Sequence, residues 1–200
     1  MRVLDALIAR PLTYRLWQAP FADRKIQPIL AHNDLTRVRR VLDVACGPGT
    51  NTKYFRDVDY LGVDWNEDYI RHATRRYGRA FICADVTAPD FAVRGTFDFI
   101  LVNSVLHHLS DAETGILLEK LAPLLSPDGS IHILELVLPS APGIAGLLAR
   151  LDRGRYARPL AEWHRLLARV FVPELFESYV LTGLGVPLWH MVYFKGRLAR

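Results

Sequence analysis

The stretch VLDVACGPGTNT, residues 41–52, decides the fold. Its apolar half, up to Cys46, has the composition of a buried strand, and Gly47-Pro48-Gly49 turns the chain directly afterwards. Two glycines in one turn let a ligand lie against bare backbone, because no side chain intervenes. We therefore predict a first strand, a ligand-binding turn and a helix that starts soon after it.

Short apolar segments alternate with helical patterns over most of the chain. The predicted strands are residues 41–46, 60–64, 80–84, 97–102 and 130–137. The predicted helices between and before them are residues 21–33, 66–77 and 111–125. Such alternation is typical of a parallel sheet with right-handed crossovers.

The end of the chain breaks this rhythm. A helix predicted for residues 159–170 precedes two strand-like segments, LFESYVLT (175–182) and LWHMVYFKGR (188–197), with glycines in the short loop between them. Two adjacent strands joined in this way form a hairpin. The sequence therefore predicts a single α/β domain, residues 1–200. Its doubly wound, mostly parallel seven-stranded sheet is Rossmann-like and ends in an antiparallel β-hairpin.

Composition excludes several classes of protein. The 200-residue chain has a net charge of +4, and its arginine clusters are spaced along helices among acidic residues, so we predict no nucleic-acid partner. No apolar run approaches the roughly 18 residues that a membrane-spanning helix needs. Cys46 and Cys83 form no disulfide framework, and neither C-x-x-C nor H-E-x-x-H occurs. We expect a cytoplasmic protein without a metal site.

Three aspartates mark the strands of the first half. Asp43 lies inside the first strand, Asp64 closes the second, and Asp85 follows the third. In a doubly wound sheet, ligands bind at the carboxyl ends of the strands, and an acid there can accept both hydroxyls of a ribose. Three acids at this edge suit an adenosine that carries a positive charge, and they suit a pyrophosphate poorly.

With these acids, the chain resembles the class I S-adenosylmethionine-dependent methyltransferases, especially the small-molecule branch similar to ubiquinone/menaquinone-biosynthesis methyltransferases. The resemblance covers residues 36–137, and the terminal hairpin by topology. It rests on VLDVACGPGT (41–50), GVDWN (62–66), CADVT (83–87), FDFILVNSVLHHL (97–109) and LLSPDGSIHILEL (124–136). It implies that the cofactor is S-adenosyl-L-methionine and that the methyl group moves by direct in-line displacement.

The resemblance also implies a set of cofactor-binding residues. These are Asp43, Ala45, Cys46, Gly47, Gly49, Asp64, Trp65, Asn66, Asp85, Val86, Asn103 and Ser104. The loop residues 45–49 lie along the methionine part of the cofactor, and Asp43 orients this loop. Asp64 binds the ribose, with residues 65–66 beside the adenosine, and residues 85–86 recognise the adenine edge. Residues 103–104 lie near the methyl-donor end.

His107 and His108 are the candidate catalytic residues. They follow the fourth strand, and in an extended stretch their side chains point opposite ways, so one of them would face the acceptor. A histidine near its ordinary pKa of about 6.5 can act as a general base. The alternative is that the pair only positions the loop.

The acceptor is predicted to be a small molecule, apolar or aromatic. The resemblance is weakest in residues 1–35 and 138–174, which we predict to be an N-terminal helical cover and an insertion that together cover the acceptor. The aromatic N-terminus would alternatively contact a membrane surface from one side. O-, N- and C-methylation and the oligomeric state all remain open at this point.

Two other functions compete with methyl transfer. One is an NAD(P)-linked oxidoreductase on a Rossmann domain, although the G-x-G-x-x-G/A pattern ends here in Thr52. The other is a partner subunit that binds the cofactor without catalysing a reaction.

Overall fold

A seven-stranded sheet with helices on both faces forms the part of the chain that the computed structural model describes, residues 21–152 and 154–199. The strands are β1 Arg40–Val44, β2 Asp59–Asp64, β3 Ala80–Cys83, β4 Phe97–Asn103, β5 Leu125–Val137, β6 Val172–Gly183 and β7 Val186–Arg197. The α-helices are α1 Gln27–His32, α2 Glu67–Tyr77, α3 Asp111–Leu121, α4 Ile144–Leu151 and α5 Leu160–Leu167. Residues 21–25 are also helical.

The strand order is β3-β2-β1-β4-β5-β7-β6. The first five strands are parallel, whereas β7 runs antiparallel to both β5 and β6. Leu184 and Gly185 connect the last two strands with φ angles of 50° and 78°, and positive φ at both central residues suits the twist of a hairpin. The predicted sheet, mostly parallel with an antiparallel hairpin at its end, is confirmed.

Two apolar clusters cover the two faces of the sheet. Leu42 and Val44 of β1 pack in one cluster, and Val41 packs in the other, as expected when successive side chains of a strand point to opposite faces. Helices α3 and α5 cover the first face, and α1 covers the second. The strand order reverses between β1 and β4, so the crevice for a ligand opens at the carboxyl ends of these two strands.

Local signals explain where the helices beside this crevice begin. Asn66 caps α2, because its side chain accepts hydrogen bonds from the backbone N–H groups of Asp68 and Tyr69. Ser110 and Glu113 form a capping box at the start of α3. Both helices therefore begin directly after a strand or loop at the carboxyl edge of the sheet.

Several predicted boundaries were wrong. The connection from β1 to β2 contains one 3-10 turn, Thr52–Tyr54, in place of the expected helix. The helix predicted for residues 21–33 is interrupted at Ile26, and Pro28 lies in the first turn of the helix that follows. β5 begins at Leu125, and residues 126–129 form an irregularity in its pairing with β4.

Predictions about residues 1–20, including contact with a membrane surface, lie outside the described residues. Among the residues that the structure describes, no helix is both long enough and apolar enough to cross a membrane.

Candidate active site

The loop after β1 reverses the chain through left-handed residues. Ala45, Gly47 and Gly49 have φ angles of 56°, 56° and 78°. A side chain on Gly49 would place its Cβ 2.8 Å from the ring of Tyr77 on α2, so Gly49 also makes room for this helix. Gly49 is therefore needed for the packing of α2 as well as for the predicted ligand contact.

Asp64 joins this loop to the start of α2. Its Oδ2 accepts a hydrogen bond of 2.8 Å from the Gly47 N–H, and its Oδ1 accepts one of 2.9 Å from the Asn66 N–H. Burial raises the pKa of Asp64, and the two N–H donors oppose this rise. Because a carboxylate has about four acceptor positions, Asp64 keeps capacity for two further donors.

The remaining residues predicted around the adenosine differ in what they can offer. Trp65 is 74% exposed, so its ring is not part of the core. The side chain of Asn66 is engaged in capping α2, and that of Val86 is buried in the core. Asp85 is exposed, and its Oδ1 accepts hydrogen bonds from the N–H and the hydroxyl of Thr87, which lower its pKa.

Asp43 is buried in β1 beneath the glycine loop. Its Oδ2 accepts a hydrogen bond of 2.7 Å from the Tyr60 hydroxyl, whereas its Oδ1 is buried without a hydrogen bond of normal geometry. Burial raises the pKa of Asp43 to about 7, although Tyr60 and Asn51 favour the charged form. Asp64 adds repulsion, so the crevice has an electronegative floor.

A lysine that sequence reasoning missed reaches the end of β4. Lys25 Nζ donates a hydrogen bond of 3.2 Å to Ser104 Oγ, which in turn donates to Asn103 Oδ1 at 2.9 Å. Burial lowers the pKa of Lys25, and the charges of Asp152 and Glu135 oppose this effect. No local pattern connects Lys25 with Ser104, because 79 positions separate them.

His107 is held between two carboxylates. Its Nδ1 lies 2.6 Å from Oε2 of Glu135, and its Nε2 lies 3.3 Å from Oδ1 of Asp152. Burial alone would lower the pKa of His107, but the two acids raise it to about 9. His107 is therefore protonated at neutral pH and has no ring nitrogen available to remove a proton, which argues against its role as a general base.

The expected arrangement of the two histidines was wrong. They lie in a 3-10 helix, Leu106–His108, and their ring centroids are 4.3 Å apart. His108 is exposed, whereas His107 is buried. Glu135 was missed although it offered a signal, since it is a charged residue within an apolar strand, as Asp43 is.

The insertion after β5 is fastened to the histidine loop. Tyr156 N–H donates to the His107 carbonyl at 2.9 Å, and the Arg158 guanidinium donates to the carbonyls of Leu106 and Leu109. Arg158 also forms an ion pair with Asp111 at the start of α3. These contacts bring part of the predicted acceptor cover, residues 138–174, to the carboxyl end of β4.

Comparison with known proteins decides the family. Residues 41–129 match the family model described as "Methyltransferase domain". These residues form a methyltransferase domain. An uncharacterized methyltransferase of Mycobacterium tuberculosis is 32% identical over 105 residues, which cover 50% of this chain and 52% of that protein. The ubiquinone biosynthesis O-methyltransferase of Nitrobacter winogradskyi is 33% identical over 158 residues, covering 74% of this chain and 57% of the relative.

Solved structures agree with this methyltransferase fold. The N-methyltransferase NodS from Bradyrhizobium japonicum WM9, in complex with S-adenosyl-L-homocysteine, superposes with a TM-score of 0.69 at 14% identity. The match covers 92% of this chain and 88% of NodS. The chain spans about half the length of the first curated relatives that it matches. Neither comparison favours the oxidoreductase alternative.

Proposed function

We propose that this methyltransferase domain transfers a methyl group from S-adenosyl-L-methionine to a small-molecule acceptor. The observation that carries the proposal is the position of Asp64, which links the glycine loop to α2 and keeps acceptor capacity at the carboxyl end of β2. When bound, S-adenosyl-L-methionine supplies a methyl group that its sulfonium has already activated.

The residues of the crevice fit this cofactor. The spare acceptor positions of Asp64 suit the ribose hydroxyls, and the exposed ring of Trp65 suits the adenine. The buried Oδ1 of Asp43, which lacks a normal hydrogen bond, adds negative potential beneath the loop. Two neighbouring carboxylates favour a cationic sulfonium compound over a dinucleotide with an anionic pyrophosphate, which supports methyl transfer over hydride transfer.

Of the other predicted residues, Ala45, Cys46, Gly47 and Gly49 would contribute backbone along the methionine part. Asn66, Asp85 and Val86 would contribute backbone or carboxylate groups beside the adenosine. Asn103 and Ser104 would lie at the methyl-donor end, where Lys25 also reaches.

For the acceptor side, we propose that positioning is the main catalytic contribution. Lys25 and Ser104 offer polar groups at the end of β4, and the insertion fastened through Arg158 supplies the opposite wall. Holding a nucleophilic atom in line contributes up to roughly 7–11 kcal/mol in well-oriented systems, and the cover excludes water. Protonated His107 holds the loop in place through its contacts with Glu135 and Asp152. Of the two histidines, only His108 can therefore act on the acceptor.

An open groove of about 480 Å³ is lined by Arg24, Gln27, Pro28, Ala31 and residues 179–182 of β6. Tyr179 on β6 donates a hydrogen bond to the Lys25 carbonyl at this place. The volume of this groove suits an acceptor of small-molecule size.

The proposal is tested by incubating the chain with S-adenosyl-L-methionine labelled in its methyl group and a panel of phenols, carboxylic acids and amines. We expect labelled product from one class, and at a cofactor concentration below the Kd of the parent chain, Asp64→Ala should lower the rate of product formation about 5–150-fold. Asp59→Ala is the matched control, because Asp59 is an exposed aspartate at the opposite end of β2, paired only with Arg40 among the described residues. Product formation at the parent's rate in Asp64→Ala under these conditions would refute the donor site, and absence of product from every class would refute the activity.

A further inference from the structure

Three side chains that can bind a metal meet where the insertion contacts the histidine loop. His107, His108 and Asp152, which we call the His–Asp cluster, each offer a ligand atom, and these atoms all lie within 4.8 Å of one another. The cluster was not predictable from local patterns, because Asp152 lies 44 or more positions after the histidines and directly follows α4.

The first histidine of the cluster is oriented from behind. Nδ1 of His107 contacts Glu135, which is fully buried and also accepts hydrogen bonds from the N–H groups of Val105 and Leu106. Histidines that bind metals usually donate their second ring N–H to a carboxylate in this way. Nε2 of His107 is thereby held toward Asp152.

The spacing of the cluster also fits a metal. Nε2 of His107 and Oδ1 of Asp152 are 3.3 Å apart, close to the spacing of about 3.3 Å between ligands on a tetrahedral ion with bonds of about 2.0–2.1 Å. His108 is exposed, so an ion can enter from solvent. A small movement of the His108 ring would complete a three-ligand site with an open position.

We propose that the His–Asp cluster binds a divalent transition-metal ion of the zinc class. Two imidazoles and one carboxylate suit zinc, cobalt or iron, whereas magnesium and calcium prefer all-oxygen sites. The ion takes the place of the proton that His107 shares with Asp152, and Glu135 and Asp152 then balance its two charges. Asp152 belongs to the insertion that we propose as the acceptor cover, but the metal site itself does not depend on the methyl-transfer proposal.

The test uses the tag-free chain, dialysed first against a chelator and then against metal-free buffer. Zinc is titrated by calorimetry, and cobalt is titrated by absorption because four-coordinate cobalt gives intense ligand-field bands. We expect one ion per chain. Asp152→Asn and His108→Ala should weaken binding at least tenfold, and Glu135→Gln, which leaves all three ligands in place, should weaken it about 10–100-fold.

His164→Ala serves as the control, since His164 is an exposed histidine on α5 outside the cluster. His108 is exposed too, so its alanine variant is expected to fold, and circular dichroism checks this. The proposal is overturned if the unmodified chain binds no stoichiometric ion, or if the His108→Ala and Asp152→Asn variants bind it as tightly as His164→Ala does.

Discussion

Replacing Asp43 with asparagine removes a buried charge while keeping its shape. Burial raises the pKa of Asp43 from 3.8 to about 7, so the folded chain holds this proton more tightly than the unfolded chain does. Stability is therefore lost as the pH rises from about 4 to 7, and it stays lost above pH 7. At 1.36 kcal/mol per pH unit, the loss is at most about 4 kcal/mol.

Asparagine avoids this loss because it has no charge to bury. The Tyr60 hydroxyl can still donate to its amide oxygen, and the Asn51 amide can rotate to accept from its nitrogen. We expect Asp43→Asn to exceed the parent chain in free energy of unfolding by up to about 4 kcal/mol at pH 8, and by up to about 2 kcal/mol at pH 5. Urea unfolding followed by tryptophan fluorescence measures both differences.

The exposed Asp59 supplies the control, since Asp59→Asn should shift stability little and equally at both pH values. Asp43→Asn should also bind S-adenosyl-L-methionine about tenfold more weakly, as the loss of one charge-assisted interaction implies. A stability difference that does not change between pH 5 and pH 8, or a less stable variant at pH 8, would refute the reasoning about Asp43.

Three further substitutions separate packing from ligand binding. Trp65→Ala should change the free energy of unfolding by less than about 0.5 kcal/mol, but it should cost about 1 kcal/mol of S-adenosyl-L-methionine affinity in calorimetry. Unchanged affinity would show that the adenine does not contact Trp65. Gly49→Ala should lower the free energy of unfolding in urea by about 1–3 kcal/mol, because the new Cβ meets a positive φ and the ring of Tyr77. Unchanged stability would contradict this packing. His107→Gln, in the presence of a chelator, should cost about 3–5 kcal/mol by leaving Glu135 buried without its cation, and full stability would disprove the ion pair.

The pattern of apolar residues in the sequence was sufficient to predict the sheet. The strands β1, β2 and β4 are mostly apolar and buried, and the glycines near residue 184 indicated the hairpin. Predicted strand boundaries were wrong where a local turn signal conflicts with the pairing of two strands. The Ser126–Gly129 segment has the composition of a turn, but it is retained within β5 as an irregularity between two paired stretches.

The candidate site was also predictable only in part. The positions of Asp43 and Asp64 at the crevice were predictable, because a charged residue in or at the end of an apolar strand requires a partner or a function. Lys25, Asp152 and the pairing of His107 with Glu135 were not predictable, because each depends on contacts between residues more than 25 positions apart. Only the fold brings the upstream helix and the insertion to the end of β4.

Calorimetric titration of the chain with S-adenosyl-L-methionine, and separately with NAD⁺, tests the central claim most directly. The account predicts one molecule of S-adenosyl-L-methionine per chain, no heat of binding from NAD⁺, and a loss of about 1–3 kcal/mol of affinity in Asp64→Ala but not in Asp59→Ala. Binding of NAD⁺ without binding of S-adenosyl-L-methionine, or equal affinity in Asp64→Ala and the parent chain, would contradict it.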